Sequence, residues 1–276
     1  GLQEAAVAVA DAVTAAGFRT QRRDLPVTFP GVAGDGSDYL GVERFDVSVA
    51  VAAVNTYLAE RIPEAGLHPR PGVYRVGVWY WELSDLPADV ASKATLVDEV
   101  WAPTRFVADA FRKRLRVPVV PMLPGVSLPA FEPRPRSHFG LPDDRFLVLF
   151  AFDMNSVMAR KNPLALVEAF RRAYRPDDRA HLVLKVTRGE KHPADLAKLT
   201  RAAKEVCATV LNATLPRGDV LALLDCCDVY ASLHRSEGLG LGMAEAMLLG
   251  KPVVATGYSG NLDFMTEETG LLVDCR

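Results

Sequence analysis

Cysteine is scarce in this chain and is not arranged for cross-links or for metal binding. The 276 residues include four cysteines, among which there is no C-x-x-C pair, and no histidine stands at metal-ligand spacing from them. Adjacent residues such as Cys226 and Cys227 are awkward disulfide partners. We therefore expect four free thiols, buried or half-buried, in a reducing and cytoplasmic compartment.

Long apolar runs and an excess of one charge are missing as well. No apolar segment approaches the ~20 residues of a membrane-spanning helix, and the formal net charge is only -2. Such a balance gives no reason to expect nucleic acid as a partner. The phosphate-binding pattern G-x-x-x-x-G-K-[ST] is absent, which argues against an ATPase. A D-x-D pair is absent too, and we expect neither a metal nor a cofactor.

What is present is the composition of a globular protein with room for two domains. Hydrophobic residues make up 49% and charged residues 24% of the chain, close to the averages for soluble proteins. The segment from Pro121 to Pro142 is dense in proline and cannot continue a sheet. We place the linker there, with one domain over residues 1–130 and a second over residues 131–276.

The second half alternates strand and helix patterns almost without exception. Phe146–Ala151 is an apolar run of strand length, and Asn162–Tyr174 follows with helical spacing and with Pro163 in its first turn. Further strands are predicted at His181–Val186, Ala208–Ala213, Val229–Leu233, Pro252–Thr256 and Gly270–Val273, and further helices at Pro193–Val206, Val220–Cys227 (capped by Gly218–Asp219) and Leu241–Leu249. This alternation predicts a parallel sheet covered by helices on both faces.

The first half has the same rhythm with less regularity. An Ala-rich helix is predicted over Glu4–Ala16, ended by Gly17 in a left-handed conformation. It is followed by the predicted strands Val47–Val54, Tyr74–Trp81, Val97–Ala102 and Val117–Met122 and by the helix Arg105–Leu115 with Thr104 as its N-cap. Because the chain opens on a helix and stops just after a strand, we expect both ends to be truncated and the first strand of the first domain to be missing.

The most informative stretch is Leu233–Gly250, in which a strand, a glycine-containing loop and a helix follow one another. The start of a helix presents unpaired backbone N–H groups to an anion, and glycines let a phosphorylated ligand come close. Glu237 lies just before the helix and Glu245 lies inside it, so their carboxylates can accept hydrogen bonds from different parts of one sugar-containing ligand. The alternative is a helix-capping glutamate and a surface glutamate, with glycines that only allow close packing.

Glu237 and Glu245, separated by seven residues, resemble the E-x7-E motif of retaining glycosyltransferases of family 4. The surrounding EGLGLGMAEAMLLGKPVVAT is similar to the EGFGLPxxEAMAxGxPVVAT of that family. Upstream, FDMNSVMARKNP (152–163) resembles the loop after the first strand of the donor domain. WYWELSDLP (79–87) and VDEVWAPTRFVADAF (97–111) resemble the acceptor domain of a bacterial branch. The resemblance covers nearly the whole chain and is stronger in the second half than in the first.

The resemblance implies an α/β chain of two Rossmann-like domains of the GT-B type, with parallel sheets that face each other across a cleft. Lys161 and Arg160 would hold the phosphates of a nucleotide-sugar donor in the second domain, or else form only a basic helix start. Glu245 would bind the ribose hydroxyls, and Glu237 would contact the transferred sugar. Backbone contacts to sugar or phosphate would come from Gly238, Leu239, Gly240 and Leu241.

The reaction implied is hexosyl transfer with retention of the anomeric configuration and without a metal. A GDP- or UDP-sugar would be the donor, and a glycan or a lipid-linked molecule the acceptor, in polysaccharide biosynthesis. Peripheral association with the inner face of the membrane would suit such an acceptor. Two alternatives stay open: a catalytically silent domain that binds nucleotide sugars, and a nucleotide-sugar epimerase or hydrolase of the same fold.

The sequence departs from the family pattern at three places. A Gly-Arg pair after the first donor-domain strand is replaced by Phe152–Asp153, so phosphate stabilisation would rest on Arg160 and Lys161. An acceptor-domain histidine is replaced by Glu82, which becomes a candidate catalytic residue for sugar contact or proton transfer, or else a strand-end or helix-capping glutamate. The glycine-rich loop after the first strand would survive only as Gly1.

Two further features have structural as well as functional interpretations. His234 lies near Glu237 at a strand end, where it is either a ligand contact or a core residue. The aromatic residues from Trp79 to Trp81 stand at strand spacing, which is more typical of core and interface packing than of a surface on which sugars stack.

Overall fold

The structure, a computed structural model, describes residues 2–22, 45–54, 70–175 and 177–275. The chain divides into two compact units, Gly1–Gly125 and Val126–Arg276, and this division falls within the proline-dense segment that was expected to be the linker. The assignment of the units to an acceptor side and a donor side stays a prediction. Gly1, expected to be the remnant of a glycine-rich loop, lies outside the described residues.

The first unit contains a parallel sheet in the order β1-β2-β3-β4. Its strands are β1 Val47–Ala53, β2 Tyr74–Tyr80, β3 Glu99–Ala102 and β4 Val119–Pro121, and its described helices are α1 Leu2–Ala15, α2 Ala88–Ala91 and α3 Arg105–Arg112, with a 3-10 helix at Ser92–Leu96. Trp79 of β2 packs edge to face on Phe111 of α3, with ring centroids 6.2 Å apart. Trp79 is fully buried, so its predicted packing role is confirmed.

Two local predictions in this unit are confirmed by the backbone geometry. The N–H group of Val107 donates a 3.3 Å hydrogen bond to Thr104 Oγ1, so Thr104 caps α3 as expected. Gly17 follows α1 with a φ of 89°, the left-handed conformation that a residue without a Cβ adopts at little cost.

The second unit contains a parallel sheet in the order β10-β9-β8-β5-β6-β7. Its strands are β5 Phe146–Asp153, β6 Ala180–Thr187, β7 Ala208–Asn212, β8 Val229–Ser232, β9 Val253–Thr256 and β10 Leu271–Val273. The apolar run of β5 lies in the middle of this sheet, and Leu147, Leu149 and Phe150 are almost fully buried. A continuous apolar run is what a parallel strand covered on both faces requires.

The helices of the second unit differ from the predicted ones mainly at their ends. They are α4 Met158–Lys161, α5 Pro163–Ala173, α6 Pro193–Ala203, α7 Arg217–Cys226 and α8 Leu241–Leu248, with 3-10 helices at Arg136–Phe139, Met154–Ser156, Gly189–Lys191 and Gly260–Asp263. Pro163 occupies the first turn of α5, as expected. The predicted cap Gly218–Asp219 is wrong, because α7 already begins at Arg217 and its N-cap is Pro216.

The prediction of mixed α/β architecture with two parallel sheets is therefore confirmed. The thiol prediction holds with one exception: all four cysteines are free, but Cys275, which follows β10, is exposed. Within the described part of the chain, no helix combines the length and the apolar character needed to cross a membrane.

Candidate functional site

The candidate site lies where the strand order of the second sheet changes direction. β5 is flanked by β8 on one side and by β6 on the other, so the chain leaves β5 and β8 toward opposite halves of the sheet. Ligands of open α/β sheets bind in the crevice at the carboxyl ends of such strands. The loops that follow β5 and β8 are joined there by two 2.8 Å hydrogen bonds, from Arg235 N to Arg160 O and from Asn162 Nδ2 to Leu233 O.

At this edge the structure brings together the two predicted phosphate-binding cations and Glu237, the first of the two candidate glutamates. Lys161 Nζ donates a hydrogen bond to Glu237 Oε1, and Arg160 Nη1 lies 3.3 Å from Glu237 Oε2. Arg160 Nη1 also donates a 2.8 Å bond to the carbonyl oxygen of Ser236. Both cations lie in the last turn of α4, directly before α5, and they do not form only a basic helix start, because each pairs with the buried Glu237.

The pKa of Glu237 reflects its two cationic neighbours. Burial alone raises the pKa of this carboxyl group, but the charge of Lys161, the charge of Arg160 and the hydrogen bond from Lys161 lower it by more, so the pKa lies below its ordinary value of 4.5. Glu237 is therefore ionised at neutral pH although it is only 8% exposed. The cluster carries two positive charges against one negative charge, which leaves it able to attract an anion.

Glu245, the second candidate glutamate, is also buried, with 3% of its surface exposed. Arg217, the first residue of α7, donates a 2.6 Å hydrogen bond from Nη2 to Glu245 Oε1. The alternative of a surface glutamate is therefore wrong. A carboxylate has two oxygens, and an arginine that holds one of them fixes the direction of the other.

The glycine-rich loop leads into α8 through residues that leave little space. Gly240 is the N-cap of α8 and has a φ of 92°, a conformation that favours glycine. A Cβ atom on Gly242 would lie 2.6 Å from Tyr230 Oη, so the first turn of α8 packs directly on that phenol. The N–H groups of Met243 and Ala244 donate to Gly240 O at 3.0 and 3.2 Å, so those of Leu241 and Gly242, which precede the first bond of the helix, are the ones that can face an anion.

The loop after β9 packs against the segment that carries Glu237. Glu237 N–H donates a 2.8 Å hydrogen bond to Ser259 Oγ, and Gly260 N–H donates a 2.9 Å bond to Glu237 O. A Cβ atom on Gly260 would lie 2.2 Å from Gly238 O. Ser259 itself has a φ of 80°, which is rare for a residue with a side chain. Strained conformations of this kind concentrate at functional sites.

The residues in the position of the expected Gly-Arg pair play a different part. Phe152 is buried in the core, and Asp153 forms an ion pair with Arg188, which follows the neighbouring strand β6. Asp153 Oδ1 also accepts a 2.9 Å hydrogen bond from Asn155 N–H. The aspartate is thus engaged with loops at the carboxyl ends of β5 and β6.

Glu82 belongs to the first unit. It follows β2 by two residues and is half-buried, which is consistent with the strand-end interpretation and leaves its catalytic role a prediction. Across the described ranges, no group of three or more His, Cys, Asp or Glu side chains could hold a metal ion.

Sequence reasoning missed three residues that complete the site: Arg217, Tyr230 and Ser259. Arg217 comes to Glu245 from a helix that starts 28 positions earlier. The phenol of Tyr230 donates a 3.2 Å hydrogen bond to Ala151 O, and its pKa is raised by burial and then by the charges of Glu237 and Glu245. Nothing in local periodicity indicates these contacts, because each depends on how the strands are ordered in the sheet.

Part of the chain matches a known family of enzymes. Residues 145–276 match the family of glycosyl transferases group 1. Two curated proteins are similar over part of the chain, both described as D-inositol 3-phosphate glycosyltransferase. The protein from Arthrobacter sp. (strain FB24) is 35% identical over 159 residues, which cover 55% of this chain and 37% of the relative. The one from Nocardioides sp. (strain ATCC BAA-499 / JS614) is 32% identical over 174 residues, 55% of this chain and 36% of the relative. The chain spans little more than a third of the length of these relatives.

Solved structures share the fold at low sequence identity. HepE from Anabaena, solved in complex with UDP-glucose, is 19% identical with a TM-score of 0.62, over 83% of this chain and 65% of that chain. TarM from S. aureus, solved with fondaparinux, alpha-GlcNAc-glycerol and UDP, is 15% identical with a TM-score of 0.57, over 78% of this chain and 44% of that chain. These likenesses show that the two parallel sheets have the architecture of GT-B glycosyltransferases. The family match concerns residues 145–276, and the likeness to the solved structures concerns the fold.

Proposed function

We propose that the chain is part of a retaining glycosyltransferase of family 4, which moves a hexose from a GDP- or UDP-sugar to a glycan or lipid-linked acceptor. The observation that carries this proposal is the cluster of Arg160, Lys161 and Glu237 at the carboxyl edge of the sheet, with Glu245 buried in the helix that follows. Cations, a helix start and two carboxylates supply the groups that a sugar diphosphate needs.

The cations would act on the leaving group. Lys161 and Arg160 pair with Glu237, and a diphosphate would take over part of this pairing. Negative charge grows on the diphosphate as its bond to the anomeric carbon breaks, so a cation held in place lowers the barrier as well as the dissociation constant. Neither the binding of the diphosphate nor the stabilisation of its growing charge calls for a metal. We therefore expect turnover to persist when a chelator is added.

The carboxylates would orient the donor. Arg217 holds Oε1 of Glu245, and the other oxygen would accept hydrogen bonds from the ribose. Glu237 would contact the hydroxyls of the transferred sugar. The acceptor oxygen would attack the anomeric carbon from the face that the diphosphate leaves, which retains the configuration, and the acceptor hydroxyl would give its proton to the departing phosphate oxygen. Glu82, which belongs to the predicted acceptor domain, would contact a sugar or take part in proton transfer.

The experiment is a donor screen followed by a transfer assay. UDP- and GDP-sugars are titrated by calorimetry, and those that bind are incubated with possible acceptors. The acceptors are oligosaccharides and D-inositol 3-phosphate, the compound that appears in the name of the curated relatives. The proposal predicts transfer with the anomeric configuration of the donor, read by NMR of the product. An inverted product contradicts the retaining mechanism.

A second candidate is a silent domain that binds nucleotide sugars. The match covers 37% of the first curated relative, so similarity alone does not carry the activity of that protein over to this chain. Binding of a nucleotide sugar without transfer to any acceptor supports this candidate. Release of free sugar without an acceptor supports a hydrolase instead.

A further inference from the structure

His234 connects the segments that follow β8 and β9 at the candidate site. It is only 1% exposed and follows β8. Its Nδ1 lies 3.1 Å from Ser232 Oγ on its own strand. Its Nε2 lies 3.2 Å from Tyr258 O and also 3.2 Å from Asn261 Oδ1, both in the segment that follows β9. One imidazole ring therefore joins the ends of β8 and β9.

The partners of the ring determine where its proton lies. Tyr258 O can only accept a hydrogen bond, and Asn261 presents its oxygen because Asn261 Nδ2 donates to Thr256 O at 3.0 Å. Nε2 must then carry the proton and donate to both acceptors, while Nδ1 accepts from the hydroxyl of Ser232. Both ring nitrogens of His234 are used inside the protein, so the interpretation of this residue as a ligand contact is wrong.

The segment that His234 holds is the same one that supports Glu237. Ser259 accepts a hydrogen bond from Glu237 N–H, and Gly260 donates one to Glu237 O. These two residues lie between Tyr258 and Asn261, the two acceptors of the imidazole N–H. The contact at Gly260 is too close for any side chain, so a shift of this segment moves the backbone around Glu237 with it.

We propose that His234 is a positioning residue of the donor site: its Nε2–H group fixes the Tyr258–Asn261 segment beneath Glu237 and so sets where that carboxylate lies. The imidazole acts through this segment and does not touch the donor. The part of the claim that concerns a donor rests on the proposed function, whereas the fixing of the segment is a property of the protein alone.

The charges around the ring agree with a neutral imidazole. Burial lowers the pKa of His234 below its ordinary value of 6.5, Glu237 and the hydrogen bonds to Tyr258 and Asn261 raise it, and Lys161 lowers it, with a net decrease. Two charged groups therefore act on the ring from neighbouring loops, Glu237 from the segment after β8 and Lys161 from α4. At neutral pH the tautomer with the proton on Nε2 is the form that the contacts need.

The first test measures amide hydrogen exchange without any ligand. His234→Met keeps the approximate volume but removes the donor, whereas His234→Gln places an amide N–H group near the position of Nε2. We expect exchange at the amides of Glu237 and Gly260 to speed up about tenfold in His234→Met and to return near the wild-type rate in His234→Gln. His181→Met is the matched control, because His181 is half-buried in the same unit and its Nε2 lies 2.9 Å from Thr209 Oγ1, away from the segment after β9. Unchanged exchange in His234→Met overturns the proposal, and so does equal loss of protection in both His234 variants.

The second test titrates the same proteins with UDP and with GDP by calorimetry. The nucleotide that binds the wild type should bind His234→Met about tenfold more weakly and should bind His234→Gln and His181→Met nearly as well as the wild type. Faster exchange with undiminished nucleotide affinity shows that the segment does not position a donor, which overturns that part of the proposal. If the wild type binds neither nucleotide, the proposed function fails, while the exchange rates still decide whether His234 fixes the segment.

Discussion

Lys161 and Glu237 form an ion pair between loops that are 76 positions apart in the sequence. The lysine ends the one-turn helix after β5, and the glutamate lies in the glycine-rich loop after β8. The pair is largely buried, with 16% of the lysine side chain and 10% of the glutamate side chain exposed. A buried pair is a weak source of net stability, but it holds both groups in defined positions. The candidate donor site is built around this contact.

Replacing Lys161 tests its role toward the leaving group. Lys161→Ala should reduce turnover by roughly two orders of magnitude, the effect of removing one preorganised charge stabiliser. The double variant with Arg160→Ala should be worse, because Arg160 contacts the same carboxylate. Turnover per folded molecule is the quantity to compare, since loss of a buried partner also lowers the melting temperature. Arg171→Ala is the control, because Arg171 pairs with Glu168 on an exposed face of α5. Normal turnover in Lys161→Ala would leave the cluster without a catalytic role.

Glu245→Gln tests the ribose contact. The amide keeps the size of the side chain but loses the charge that strengthens its hydrogen bonds, each worth roughly 1.5–3 kcal/mol. We expect nucleotide affinity to fall about tenfold or more, measured by calorimetry, with circular dichroism to confirm that the fold is kept. Glu168→Gln on the surface should leave affinity unchanged. Unaltered affinity in a folded Glu245→Gln protein excludes the contact.

The lowered pKa of Glu237 predicts a dependence of stability on pH. The unfolded state, in which this carboxyl group has its ordinary pKa of 4.5, binds the proton first as the pH falls. The contribution of Glu237 is therefore complete above that value and is lost as the pH falls through the lower pKa of the folded state. Urea unfolding should show a steeper loss of stability below about pH 5 in the wild type than in Glu237→Gln.

Salt distinguishes this effect from that of an exposed glutamate. Interaction with Arg171, then with Arg172, lowers the pKa of Glu168 to about 2, but this group lies on the surface. At ~0.5 M salt the contribution of Glu168 should largely vanish, whereas that of the buried Glu237 should persist. Equal salt sensitivity of Glu168→Gln and Glu237→Gln contradicts the buried ion pair.

Gly260→Ala tests the close packing beneath the glycine-rich loop. Its Cβ would lie 2.2 Å from Gly238 O and 2.9 Å from Glu237 O, and backbone atoms cannot give way without moving the loop. We expect a loss of about 1–3 kcal/mol in the free energy of unfolding and weaker nucleotide binding. Gly125→Ala is the matched control, because no atom lies within 4 Å of its added Cβ. A fully stable Gly260→Ala protein with unchanged affinity would show that the loop adapts.

The strands and helices were predictable because each depends on the pattern of apolar residues within its own segment of the sequence. The apolar run of β5 and the alternation of strands and helices predict a parallel sheet without any knowledge of contacts. Element ends were less accurate. The helix expected from Val220 begins at Arg217, and its N-cap is Pro216. The prediction placed the cap at Gly218–Asp219 and therefore started the helix too late.

The site was only partly predictable, because its contacts cross the sheet. The resemblance around Glu237 and Glu245 singled out both carboxylates, and that of residues 152–163 singled out Arg160 and Lys161, and the structure pairs both cations with Glu237. The sequence could not show that Lys161 pairs with Glu237, since that contact depends on β5 and β8 being neighbours. It also could not show that Arg217 holds Glu245. Such partners follow from strand order, which no local pattern encodes.

Phosphorus NMR of a nucleotide sugar bound to the protein tests the central claim most directly. UDP- and GDP-sugars are added to the wild type and to Lys161→Ala, and the two diphosphate signals are followed. The account predicts that one of these donors shifts both signals in the wild type and that the shifts are strongly reduced in Lys161→Ala at equal saturation. Signals that move identically in both proteins, or that do not move in the wild type with any donor, contradict a diphosphate site at Lys161.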